Sequence, residues 1–224
     1  MQAKEFQGEI RPTSALRLWG EFLAFYLITP LAMAFVLPPD ALFPGLFALT
    51  ALGLVLLHLT PGFDWAELGR GTRRIAWRPV ALFTVATLTV ATCAVLVTAP
   101  GAFLVLPREQ PILWLAILLL YPPLSALPQE IVFRPLFFRR YGRLLPGRPW
   151  ALVLNAALFS LAHLFYWNGL VAAMTFCGGL AFAWAYDSRG NFPMAVVLHA
   201  LAGWIVFTLG LGMFFYSGNI QRPF

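Results

Sequence analysis

The chain has 224 residues, of which 60% are hydrophobic and only 11% are charged, with a mean hydropathy of +0.78. Soluble domains carry about 25% charged residues, so this balance excludes an ordinary soluble domain and indicates a polytopic membrane protein. The net charge of +6 is spread over short loops between apolar runs rather than over one face, which excludes a nucleic-acid-binding reading and fits the positive-inside rule.

A crossing needs about 20 apolar residues, so the chain has room for about seven to eight transmembrane helices in one all-α bundle. The whole of 1–224 reads as a single integral membrane domain. No cleavable signal peptide is expected, because the first apolar run follows a charged start (Lys4, Glu5, Glu9, Arg11, Arg17) and is long enough to be retained. The expected first span covers Leu18 to Val36, and Pro38, Pro39 and Asp40 turn the chain into a second, Ala41 to Leu59. The polar loop Thr60 to Arg78 holds Arg70, Arg73, Arg74 and Arg78, with a short interfacial helix around Trp65. Span three is Val80 to Val97, ended by Pro100 and Gly101.

Span four runs from Pro111 to Arg140, about 45 Å of helix at 1.5 Å per residue and longer than a bilayer is thick. Pro122, Pro123 and Pro128 predict that it is bent or broken, or split in two at Pro122. Span five covers Trp150 to Phe165 and span six Leu170 to Tyr186, whose Gly178, Gly179 and Ala183 admit a close neighbour. Span seven covers Pro193 to Phe215. Arg139, Arg140, Arg143, Arg148 and Arg189 join the second-loop arginines on one side, leaving Arg108 and Arg222 on the other. That asymmetry places the N-terminus in the cytoplasm and gives an odd number of spans. Cys93 and Cys177 read as two buried free thiols within spans.

Ionisable groups are rare inside spans and mark partners or tasks. Glu130 and Arg134 lie four apart, on one helical face. His163 and His199 sit in later apolar runs, and helical rise brings both to depths near Glu130. The plainer readings are a structural ion pair and histidines bonded to a carbonyl. His58 at a span end, Phe159 among the aromatics, and Asn155 and Asn168 as interhelical partners are read as structural. Two His and one Glu also make a zinc ligand set, so zinc on Glu130, His163 and His199 stays open beside a metal-free site with Glu130 as general base and histidine as donor to the oxyanion.

Gln129-Glu130-x-x-x-Arg134, Phe159-Ser-Leu-Ala-His163 and the late His199 together resemble the three motifs of the CAAX protease and bacteriocin-processing (CPBP) family, over roughly Pro122 to Gly203, with a family-like core at about 111–215. The resemblance implies an intramembrane endopeptidase of the type II CAAX prenyl protease kind. It carries catalytic roles to Glu130, Arg134, His163 and His199, with Gln129 offering an amide to the scissile carbonyl. Gln129 stands where the family has its first glutamate, Gly203 where it has Asn or Asp, and Pro135 where it often has Gly. Either Glu130 takes over as base, or the chemistry is altered, or the chain is a non-catalytic scaffold. The expected partners are membrane lipids and a peptide or membrane-protein substrate entering from the lipid or the inner face; the expected location is a bacterial inner membrane. A small ion-coupled carrier is the third reading, disfavoured by the lack of a sequence repeat.

Overall fold

The computed structural model describes residues 14–220, 222 and 223. The charged residues Lys4, Glu5, Glu9 and Arg11 lie outside the described residues. Seven helices long and apolar enough to cross a membrane follow one another: α1 (Ala15–Phe35), α2 (Pro39–His58), α3 (Trp77–Thr98), α4 (Pro111–Arg140), α5 (Arg148–Tyr166), α6 (Gly169–Ser188) and α7 (Phe192–Leu209). No strand occurs among the described residues. Leu82, Val85, Ile112 and Leu119 stand exposed on the outside of the bundle, where lipid tails replace water. The protein is an integral membrane protein.

Helix starts follow the sequence closely. Ser14 accepts from the backbone N–H of Arg17, Asn168 from Leu170 and Val171, and Asn191 from Met194, each meeting amides that the first turn leaves open. Asn168 is therefore a cap, not the interhelical partner expected of it. Asn191 does more. Its Nδ2 donates to Gly71 O at 2.9 Å and to Arg74 O at 3.2 Å, which ties the arginine loop to the start of α7. Gly71 has φ of +94°, and a Cβ there would meet Asn191 at 2.8 Å, so glycine is required on both counts.

The long helix α4 is continuous, not split at Pro122. It accommodates its prolines by widening into π-helix over Pro122–Ala126 and again over Val132–Arg140, where Pro135 offers no N–H. The second widening is braced by α1, since the Tyr26 hydroxyl donates to Val132 O at 2.6 Å. Tyr26, Phe22, Phe137 and Tyr141 pack around it in edge-to-face and tilted pairs. Near the arginine-rich end, Arg140 joins three helices: it pairs with Glu21 of α1 at 2.6 Å and donates to Leu56 O of α2 at 3.0 Å.

Two expectations need correction. Span seven stops at Leu209, not Phe215, because Gly210 turns left-handed (φ +107°) against the carbonyl of Ala102, and Leu211–Phe215 form a 3-10 turn. The short helix expected around Trp65 is present, as the five-residue 3-10 helix Trp65–Gly69. Cys93 and Cys177 are free but exposed, not buried: a membrane span turns apolar side chains outward as readily as inward.

Candidate functional site

The site is built on the middle of α4 and closed by α5, α6 and α7. The i, i+4 spacing brings the Arg134 guanidinium onto the Glu130 carboxylate, with Nε donating to Oε2 at 2.9 Å and Nη2 to Oε1 at 3.4 Å. Both side chains are fully buried. A lone charge there would be strongly unfavourable, and the fork geometry of arginine on a carboxylate offsets that cost. The third arm, Nη1, donates to Asn155 Oδ1 on α5. Asn155 in turn donates from Nδ2 to Phe133 O at 2.7 Å. The guanidinium also lies 5.2 Å from the ring centre of Phe159 and 5.7 Å from that of Phe182.

His199 enters this network from α7. Its Nδ1 is 2.9 Å from Glu130 Oε1. The carboxylate can only accept, so Nδ1 carries the proton and Nε2 is the atom left to work. The imidazole is stacked on Phe182 (4.9 Å, 10°) and meets Phe159 edge-on at 5.6 Å. Phe159 is therefore part of the site, although its sequence context reads as packing. His163 closes α5. Its Nδ1 is 2.8 Å from Phe159 O, a carbonyl that only accepts, so here too Nε2 keeps its lone pair.

A cavity of about 900 Å³ runs beside this network. Gln129, His163 and His199 line it, as do Tyr121, Ser125 and Phe159, and among the described residues no Asp, Glu, Lys or Arg does. Glu130 and Arg134 are not in its wall. Gln129 donates from Nε2 to Ser125 Oγ at 2.9 Å, one turn back on the same face of α4. The five site residues of the sequence reading thus come together in two layers. Gln129, His163 and His199 face the cavity; Glu130 and Arg134 stand behind. His58 lies away from the site and takes a hydrogen bond from Trp65 Nε1 at 3.3 Å.

Zinc does not fit this donor set. The Glu130 oxygens are engaged by Arg134 and by His199 Nδ1, on the far side of the imidazole from Nε2. Among the described residues no group of three His, Cys, Asp or Glu side chains forms a ligand cluster. Sequence reasoning missed Tyr121, Ser125 and Phe182. Tyr121 and Ser125 had a legible signal, since with Gln129 they repeat every fourth residue along one helix face.

Residues 109–205 match the family model described as type II CAAX prenyl endopeptidase Rce1-like. No curated protein and no solved structure matches the chain.

Proposed function

We propose, from the match of residues 109–205 to a type II CAAX prenyl endopeptidase Rce1-like family model, that the chain hydrolyses an apolar peptide segment or membrane-protein tail inside the bilayer, towards the arginine-rich and therefore cytoplasmic side. The observation that carries this reading is the wall shared by Gln129, His163 and His199 on a cavity that no charged side chain lines among the described residues.

The chemistry follows from the donor pattern. Glu130 is the residue behind the base rather than the base itself: it holds the Nδ1 proton of His199 and so fixes which nitrogen faces the cavity. A water beside His199 gives its proton to Nε2 as its oxygen bonds the scissile carbonyl carbon, and the carbonyl electron pair moves to oxygen. The His163 lone pair accepts the second water proton in a hydrogen bond and aims the attack. Gln129 spends one amide proton on Ser125 and has the other for the developing oxyanion. The proton on His199 then passes to the leaving nitrogen as the carbon–nitrogen bond breaks, which gives an acid and an amine. Every step uses neutral or internally paired groups, as a cavity of this polarity requires.

A second reading is favoured by one observation: among the described residues the cavity lining holds no carboxylate. On that reading the protein holds a client segment without cutting it. Cleavage by protein reconstituted in lipid nanodiscs separates the two. A set of leucine- and phenylalanine-rich peptides, prenylated or plain, is compared with the same peptides carrying Lys or Asp beside the scissile bond. The hydrolase reading expects products from the apolar peptides and none from the charged ones. Saturable binding with no product under any condition sinks it in favour of the holder.

A further inference from the structure

Tyr121 occupies a notch that glycine alone leaves open. Gly203 lies on α7 one turn beyond His199 and on the same face. A Cβ at Gly203 would fall 2.0 Å from Tyr121 Cε1, 2.3 Å from its Cζ and 2.7 Å from its hydroxyl oxygen. The phenol therefore stands where a side chain of residue 203 would stand, one helical turn from the imidazole. Its ring is fixed from both sides, at 6.0 Å and 70° to His199 and at 5.7 Å to Phe207. Tyr121 lines the same cavity as Gln129, His163 and His199.

The hydrogen-bond inventory leaves its proton available. Ser125 Oγ accepts from Gln129 Nε2 at 2.9 Å, and among the described residues no hydrogen bond takes up the Tyr121 O–H. Tyr121 keeps its own O–H for a third group. Tyr121, Ser125 and Gln129 thus form a polar row along one face of α4, whose other cavity-lining residues are apolar, with a donor at each end.

We infer that Tyr121 is a further catalytic residue, whose hydroxyl donates to the carbonyl oxygen of the bound peptide and forms an oxyanion site together with the Gln129 amide. The inference rests on the hydrolase reading above. As the water oxygen bonds the carbon and its proton moves to His199 Nε2, the carbonyl pair settles on an oxygen held between the Tyr121 O–H and the Gln129 N–H. No proton leaves Tyr121 in this step. Gly203 is the residue that makes room for it.

Two measurements test this, on wild type and Tyr121→Phe in nanodiscs. Phenylalanine keeps the ring in the notch and deletes only the donor. The first is turnover of a leucine- and phenylalanine-rich peptide, where kcat should fall ~100-fold with KM nearly unchanged, the scale of losing one oxyanion donor. The second is equilibrium binding of a peptide of the same composition in which a phosphinate replaces the scissile amide, compared with the plain peptide. Wild type should prefer the phosphinate, and Tyr121→Phe should lose that preference at least tenfold while binding the plain peptide equally well. Full kcat in Tyr121→Phe overturns the inference and leaves the hydrolase reading standing. No turnover in wild type, with a Tyr121-dependent phosphinate preference, overturns the hydrolase reading and keeps the donor. No phosphinate preference in wild type overturns the inference outright.

Discussion

Two neighbouring residues on α4 lead opposite lives. Gln129 faces a cavity of about 900 Å³ and bonds along its own helix to Ser125. Glu130, about 100° further round the helix, is fully buried and joins α4 to α7 through His199, while its partner Arg134 joins α4 to α5 through Asn155. The front layer is spare, uncharged and open; the back layer is charged, dense and closed. The difference teaches that an ionisable residue in a span marks the frame of a site as readily as its working atom. In a low dielectric a charge must be paired, and a paired carboxylate with both oxygens engaged serves better to orient a base than to be one.

The comparison can be broken most directly from the back. Arg134→Ala strands Glu130 in the core and should lower stability by about 3–5 kcal/mol, enough to abolish folded yield in detergent. Survival of a cooperative thermal transition near that of wild type would mean the layer is not buried as described. Asn155→Ala leaves Arg134 Nη1 and Phe133 O without their partner and should cost about 1–3 kcal/mol, read as a lower midpoint of thermal unfolding with the fold retained. From the front, His163→Ala removes one exchangeable hydrogen bond and should move stability by only about 1 kcal/mol, while hydrolysis falls by about 10²–10⁴-fold. A large loss of stability with unchanged kcat in that variant would reverse the assignment of layers. The smallest effect belongs to His58→Ala, where the ring meets only Trp65 at the protein surface, and both readouts should match wild type.

The architecture was largely legible because a bilayer imposes simple rules. Six of the seven spans were found within three residues at each end, since length and hydropathy alone set them, and the seventh was drawn six residues too long. The misplacements share a cause. Gly210 ends α7 through a contact with Ala102, over a hundred residues away, and the π-widening of α4 absorbs prolines that by local rules would break it. The pairing of Glu130 with Arg134 was legible from i, i+4 spacing, and the approach of His163 and His199 from helical rise. Which residue of the Gln129–Glu130 pair faces the cavity was not, because a single helix carries no mark of where its neighbours stand. The i, i+4 repeat of Tyr121, Ser125 and Gln129 was legible, but the seat of the Tyr121 ring was not, as it depends on a missing side chain at Gly203 on a helix eighty residues later. Asn155 was read as an interhelical partner, and so it is, with a charged partner that its apolar surroundings did not announce.

The measurement that bears most directly on the account is chemical rescue of His199→Ala in nanodiscs, with hydrolysis of a leucine- and phenylalanine-rich peptide followed with and without added imidazole. If Glu130 orients His199 as the base, the variant loses activity and imidazole restores part of it, whereas Glu130→Gln in the otherwise intact protein falls by up to about 10⁴-fold, the scale of replacing a triad carboxylate by an amide, and imidazole does not help it. Hydrolysis at the wild-type rate by His199→Ala, without imidazole, would contradict the account.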